Sequence, residues 1–207
     1  MIAALVADSE TRTQSLGRQI ATAIVPVVVL TTAGFYLVFG LRDDLSDAFS
    51  QTRFVFKLVF MTVLSIMVWR ALINAARPTP MPRSDWVVLI AASLVLVVAL
   101  GLELYATPPV DWTARLYGAN AVFCVIAIPT IGLPILALAL FALRSAAPRK
   151  GTLAGCMAGL FAGVMAGAIY AVHCPDDSPL FMVAWYGLSI TGLAGLGALV
   201  GRRLLRW

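Results

Sequence analysis

Charge is scarce in this chain. Asp, Glu, Lys and Arg together make up 12% of its 207 residues, and it has one histidine and three cysteines. A nucleophilic triad therefore has a single imidazole to draw on, His173. No Cys-x-x-Cys pair occurs, which argues against a membrane disulfide oxidoreductase, and no glycine-rich phosphate loop is present. With no catalytic constellation in sight, no catalytic residue is assigned and the chain is not expected to be an enzyme.

Apolar side chains are abundant instead. The hydrophobic share is 61% and the mean hydropathy +0.93, well above an ordinary soluble domain. A bilayer core takes about 20 helical residues to cross, and six runs of that order stand between charges or prolines: Ile20–Gly40, Phe54–Ile73, Asp85–Ala106, Gly118–Leu143, Gly151–Val172 and Pro179–Val200. The remaining segments are too short to bury a soluble core of their own. The expected fold is all-α, a polytopic six-transmembrane-helix bundle with short loops. Residues 1–19 form an N-terminal tail, 20–201 the membrane domain and 202–207 a basic C-terminal tail. The first run is too long for a signal-peptide core and lacks an obvious small-residue cleavage site, so it reads as a retained helix.

Basic residues resist translocation and so set orientation. With the N-terminus inside, Arg12, Arg18, Arg70, Arg77, Arg83, Arg144, Arg149, Lys150, Arg202, Arg203 and Arg206 are inner, leaving Arg42, Arg53, Lys57 and Arg115 outside. Both termini are then cytoplasmic. The net charge of +5 fits topology and contact with anionic lipid, and no interleaved basic and aromatic surface points to nucleic acid.

Along the chain, Ile2, Leu5, Val6, Leu16 and Ile20 suit one or two amphipathic turns in the leader. Pro26 is expected to bend the first helix slightly, and Pro129 and Pro134 to break the hydrogen-bond ladder of the fourth. Lys57 and Arg70 lie near opposite ends of the second helix, where long side chains snorkel to headgroups. Glu103, at the depth of Lys57, could pair with it across helices. Arg77–Arg83, with three prolines, is a stiff inner spacer. Most Trp and Tyr residues, Tyr170 and Tyr186 among them, fall near predicted ends as an interfacial belt does. Gly151, Gly155, Gly159, Gly163 and Gly167 recur every four residues, with Gly197 and Gly201 in the last helix, so helices five and six should pair closely.

One stretch, Tyr170 to Phe181, holds His173, Cys174, Asp176 and Asp177. Cys174 ends the fifth helix on the outer side, Cys124 lies in the outer half of the fourth, and Cys156, within the glycine ladder, reads as a small apolar residue. Two thiols at similar depth beside an oxidising compartment suit either a disulfide or a soft metal held as thiolates. His173, Asp176 and Asp177 offer neighbouring donors. Mere packing stays open as an alternative.

Leu143-Arg144-Ser-Ala-Ala-Pro148, Leu153-Ala-Gly155, His173-Cys174-Pro175-Asp176-Asp177-Ser178, Trp185-Tyr186 and the ending from Leu196 to Trp207 together resemble the NrsF family of bacterial anti-sigma factors. The resemblance is strongest from Cys124 onward. It implies an inner-membrane protein that holds an extracytoplasmic-function sigma factor inactive and lets it go when Cys124 and Cys174 sense a heavy metal or oxidant. No resident cofactor is implied, only a transient metal ion, with Cys124, Cys174 and His173 as possible ligands. The leader is the implied partner-binding element, through Ile2, Leu5, Val6 and Asp8; the chain starts almost inside that motif, as a truncated start would. Its partners are then a sigma factor and membrane lipid, with self-association left open. A small multi-pass transporter or metal exporter is the rival reading. It needs polar groups through mid-membrane, where mainly Thr and Ser occur. A scaffold held by its glycine ladder is a third.

Overall fold

The computed structural model describes residues 2–205, with the side chains of residues 2–15 outside that description. Among the described residues there is no strand. The chain runs α1 (Ile2–Phe39), α2 (Leu45–Ala48), α3 (Thr52–Ala75), α4 (Arg83–Ala106), α5 (Pro109–Tyr117), α6 (Ala121–Leu143), α7 (Gly151–Ala171), α8 (Pro179–Phe181), a π-helical turn (Met182–Tyr186) and α9 (Gly187–Leu204). Six segments are long and apolar enough to cross a membrane: Leu16–Phe39, Thr52–Ala75, Arg83–Ala106, Pro109–Leu143, Gly151–Ala171 and Pro179–Leu204. They overlie the six expected runs.

α1 begins at Ile2 and passes residue 20 without a break, so the turns expected of the leader continue the first span. The side chains of Ile2, Leu5, Val6 and Asp8 lie outside the described residues. The fourth span also differs: residues 109–117 form the short amphipathic α5, and Gly118, at φ 54°, turns the chain into α6. A Cβ at Gly118 would also stand 2.5 Å from a carboxylate oxygen of Asp176, so both backbone and space require glycine there. α6 continues through Pro129 and Pro134 rather than ending at either; each proline removes one amide donor while the helix is held by its neighbours.

α7 is the hub, with 14 of its 21 residues buried. Between apolar helices in lipid, association rests on close van der Waals contact, and the glycine ladder provides it. A Cβ at Gly155 would collide with the carbonyl of Gly197, one at Gly159 with the carbonyl of Leu193, and one at Gly197 with the carbonyl of Gly155. α7 and α9 therefore touch backbone to backbone, as the spacing predicts. α4 is peripheral; of its residues only Asp85 and Glu103, at its two ends, are buried. Its apolar flanks face outward, the arrangement of a helix whose solvent is hydrocarbon.

Candidate functional site

The polar cluster forms the connection between α7 and α8, and its residues serve different elements. Asp176 accepts hydrogen bonds from the backbone amides of Ala119 (3.2 Å) and Asn120 (3.0 Å) and from Asn120 Nδ2 (3.1 Å). It thereby caps the start of α6, where unpaired amides favour an anion. Asp177 pairs with Arg42 at 2.9 Å and with Lys57. Lys57 has no solvent exposure. Its ammonium also donates to the carbonyls of Cys174 (2.8 Å) and Asp176 (3.4 Å). The expectation that Lys57 snorkels outward is thus overturned: an inward carbonyl and carboxylate satisfy all that water would have offered.

The expected pairing of Glu103 with Lys57 is likewise replaced. Glu103 binds Arg53 and Arg115, each at 3.0 Å, and accepts from Ser178 Oγ at 3.3 Å. Arg42 also grips Asp44 at 2.7 Å. Its guanidinium holds the Asp44 carboxyl below the usual carboxylate range, and the pairing in turn raises Arg42 further. All four basic residues assigned to the minority side are thus ion-paired at one end of the bundle.

His173 turns away from the carboxylates. Its Nδ1 donates to the carbonyl of Gly40 at 3.0 Å, and its ring packs against Phe35, Phe39, Phe123 and Tyr170. It joins the end of α1 to the end of α7. Among the described residues no group of three His, Cys, Asp or Glu side chains is placed to hold a metal ion.

Cys124 and Cys174 are both fully buried free thiols, and they lie within electrostatic reach of each other. Cys174 Sγ points its proton toward the carbonyl of Asp176 at 4.0 Å. Burial pushes the Cys174 thiol up, and the Lys57 ammonium pulls it partly back. Cys156 is a half-buried thiol on α7. Two residues assigned from sequence to an interfacial belt belong here instead: Tyr170 and Tyr186 are fully buried against one another, ring centroids 5.7 Å apart. Tyr170 stands one helical turn before Cys174, the spacing that could have revealed it. Tyr186 is carried by the π-helical turn, which no sequence pattern announces.

A polar cleft of about 430 Å³ opens above this cluster, lined by Arg53, Asp111, Arg115, Pro175, Asp176 and Ser178 among others. α5 borders it, tied down by Trp185 Nε1 donating to the carbonyl of Leu116 at 2.7 Å. At the far end of the bundle the two basic loops meet. The Arg149 amide donates to the carbonyl of Arg77 at 3.4 Å, Asp85 is bound by Asn74 and Arg70, and Gln19 shares a cleft with Arg144 and Ser145.

Comparison with known proteins gives a consistent picture. The family described as negative regulator of sigma F, NrsF, matches residues 5–207. A protein of Caulobacter vibrioides named anti-sigma-F factor NrsF is 33% identical over 84% of this chain and 84% of its own. A protein of Azospira oryzae named "Probable anti-sigma-F factor NrsF" is 30% identical over 80% of this chain and 78% of its own. No solved structure matches the chain.

Proposed function

Because this chain belongs to the NrsF family of negative regulators of sigma F, we propose that it is a membrane anti-sigma factor: it holds an extracytoplasmic-function sigma factor at the cytoplasmic face of the inner membrane and releases it when Cys124 and Cys174 meet a heavy metal or an oxidant. The leader, with Ile2, Leu5, Val6 and Asp8, supplies the grip, and the adjoining loops Arg77–Arg83 and Arg144–Lys150 extend it. Both termini are then cytoplasmic. The basic bias supports this orientation, and so does the neutralisation of Arg42, Arg53, Lys57 and Arg115 by acidic partners.

One observation carries the reading. α1 reaches the thiol end at Gly40, against His173, and near its other end Gln19 shares a cleft with Arg144 and Ser145 of a basic loop. In this reading one continuous helix, α1, links the leader that grips to the end of the bundle that senses. A metal or oxidant acts only through its differential affinity for two arrangements of that bundle. His173, next to Cys174 in sequence, would join the sulfurs on a metal only by giving up its bond to Gly40. A transporter would require a polar path, and near mid-span only Ser65 and Ser189 are buried polar groups among the described residues.

Cys124→Ser and Cys174→Ser are expected to leave repression of a sigma-dependent reporter intact and to blunt its induction by cadmium or peroxide. Normal induction in both variants removes the thiols from the mechanism. Deleting residues 1–19 is expected to abolish co-purification of the sigma factor.

A further inference from the structure

α3 and α4 run antiparallel and are tied at both ends. At one end Asn74 Nδ2 donates to Asp85 at 2.6 Å and Arg70 pairs with the same carboxylate at 3.3 Å; at the other, Arg53 pairs with Glu103 at 3.0 Å. Between the ties the two helices stand apart. The gap is a groove of about 520 Å³, walled on α3 by a stripe from Thr52 to Met67 and on α4 by Val88, Ala91, Ala92 and Val95. Apart from Thr52 the walls are apolar. Inside a bilayer such a gap fills with hydrocarbon, because atoms that line a void lose their dispersion contacts. Its width decides which hydrocarbon. The stripe from Thr52 to Met67 rises about 22 Å along α3, so the volume spread over that length leaves a cross-section of roughly 23 Å². A helix about 10 Å across needs about 80 Å², so the groove is too narrow for a helix of a second copy and suits a single extended chain.

One mouth of the groove complements an anionic head. Arg70 follows Met67 by three residues and Ser84 precedes Val88 by four, which puts both on the faces that line the groove. The Arg70 side chain is 65% exposed. Of its five donors, Nε reaches Asp85 and Nη2 reaches Ser84 Oγ at 3.4 Å, and Ser84 keeps its own hydroxyl proton to give. From residue 70 to residue 85 the chain carries Arg70, Arg77 and Arg83 against Asp85 alone. Trp86, exposed in the first turn of α4, marks the headgroup level at this end. The other mouth lacks free charge, since Arg53 spends both Nε and Nη2 on Glu103. We propose that the groove between α3 and α4 holds one acyl chain of an anionic phospholipid, whose phosphate is bound at the mouth by the Arg70 guanidinium and the Ser84 hydroxyl. Bound there, the lipid completes packing that α4 leaves unfinished between its two buried ends. The proposal needs only that the chain spans a membrane and is independent of the thiols.

Native mass spectrometry of the detergent-solubilised full chain, with dioleoylphosphatidylglycerol or dioleoylphosphatidylcholine added, tests it. One phosphatidylglycerol should be retained, about fivefold more tightly than phosphatidylcholine, the worth of one basic residue near an anionic head. Arg70→Gln should bring phosphatidylglycerol down to the level of phosphatidylcholine and leave the latter where it was. Ala92→Phe, which puts a ring into the groove, should weaken retention of both lipids about tenfold. Val97→Phe, at a position 62% exposed and outside the groove lining, should change neither. If Ala92→Phe does not fold, Ala91→Leu adds less bulk to the same wall and carries the same expectation. Equal retention of the two lipids by the parent chain, or parental retention in the groove variants, overturns the proposal. An equal loss in Val97→Phe overturns it as non-specific, and a dimer that the groove variants dissociate overturns it in favour of a contact between copies.

Discussion

Buried charge dominates at the scale of single residues. Lys57 and Asp177 are removed from water, a step that costs several kcal/mol per ion unless attraction and extra hydrogen bonds offset it. Here Arg42 and the Cys174 carbonyl complete the set. Asp177→Asn strips the carboxylate from two cations, one of them with no access to solvent. The expected loss is about 3–5 kcal/mol of stability, read as a drop in the thermal midpoint in detergent. Glu103→Gln should cost much less, because Arg53 and Arg115 are partly exposed and can rehydrate. None of this pairing was legible in the sequence. Lys57 looked like a snorkelling residue because its hydropathic surroundings place it near a membrane surface, while the residue that reverses its direction is separated from it by 117 positions. Tyr170 and Tyr186 were hidden for a related reason: an aromatic near a helix end is interfacial or internal according to what packs over it, and here α5 and the loop after α7 close the top.

Among the elements, prediction from sequence fared better, because periodicity survives without partners. The six apolar runs became six spans, and the four-residue glycine register became the seam between α7 and α9. Side chains are excluded there by the opposing backbone rather than by opposing side chains, which cannot easily yield. Gly155→Val should therefore separate α7 from α9, with loss of folded protein in size-exclusion profiles. The contrasting case lies on the other face of α9, where a Cβ at Gly195 meets nothing within 4 Å. Gly195→Ala should be neutral or stabilise by up to about 1 kcal/mol, the helix-propensity gain. α5 and the π-helical turn escaped notice since each is shorter than any window in which a period can be counted. The prolines of α6 interrupt its hydrogen-bond ladder, as their chemistry requires, while the helix itself continues past both.

For the whole molecule, the two ends differ in how their charges are used. One end holds interlocked acids and bases around the thiols; the other gathers the basic loops. If the second end faces the cytoplasm, Asp43→Cys and Thr79→Cys, both at exposed positions, should label oppositely. The first should react with an impermeant maleimide in intact spheroplasts and the second only after lysis; the reverse pattern would invert the topology. The unbroken course of α1 has one more implication. Although Pro26 interrupts its ladder, the helix is continuous, and a disturbance at one end reaches the other chiefly as a slide or a turn of the whole. On an α-helix a screw motion of one residue is about 1.5 Å of travel but a turn of about 100°. A shift at Gly40 too small to register as a change of shape would thus swing a different stripe of the leader toward whatever it grips.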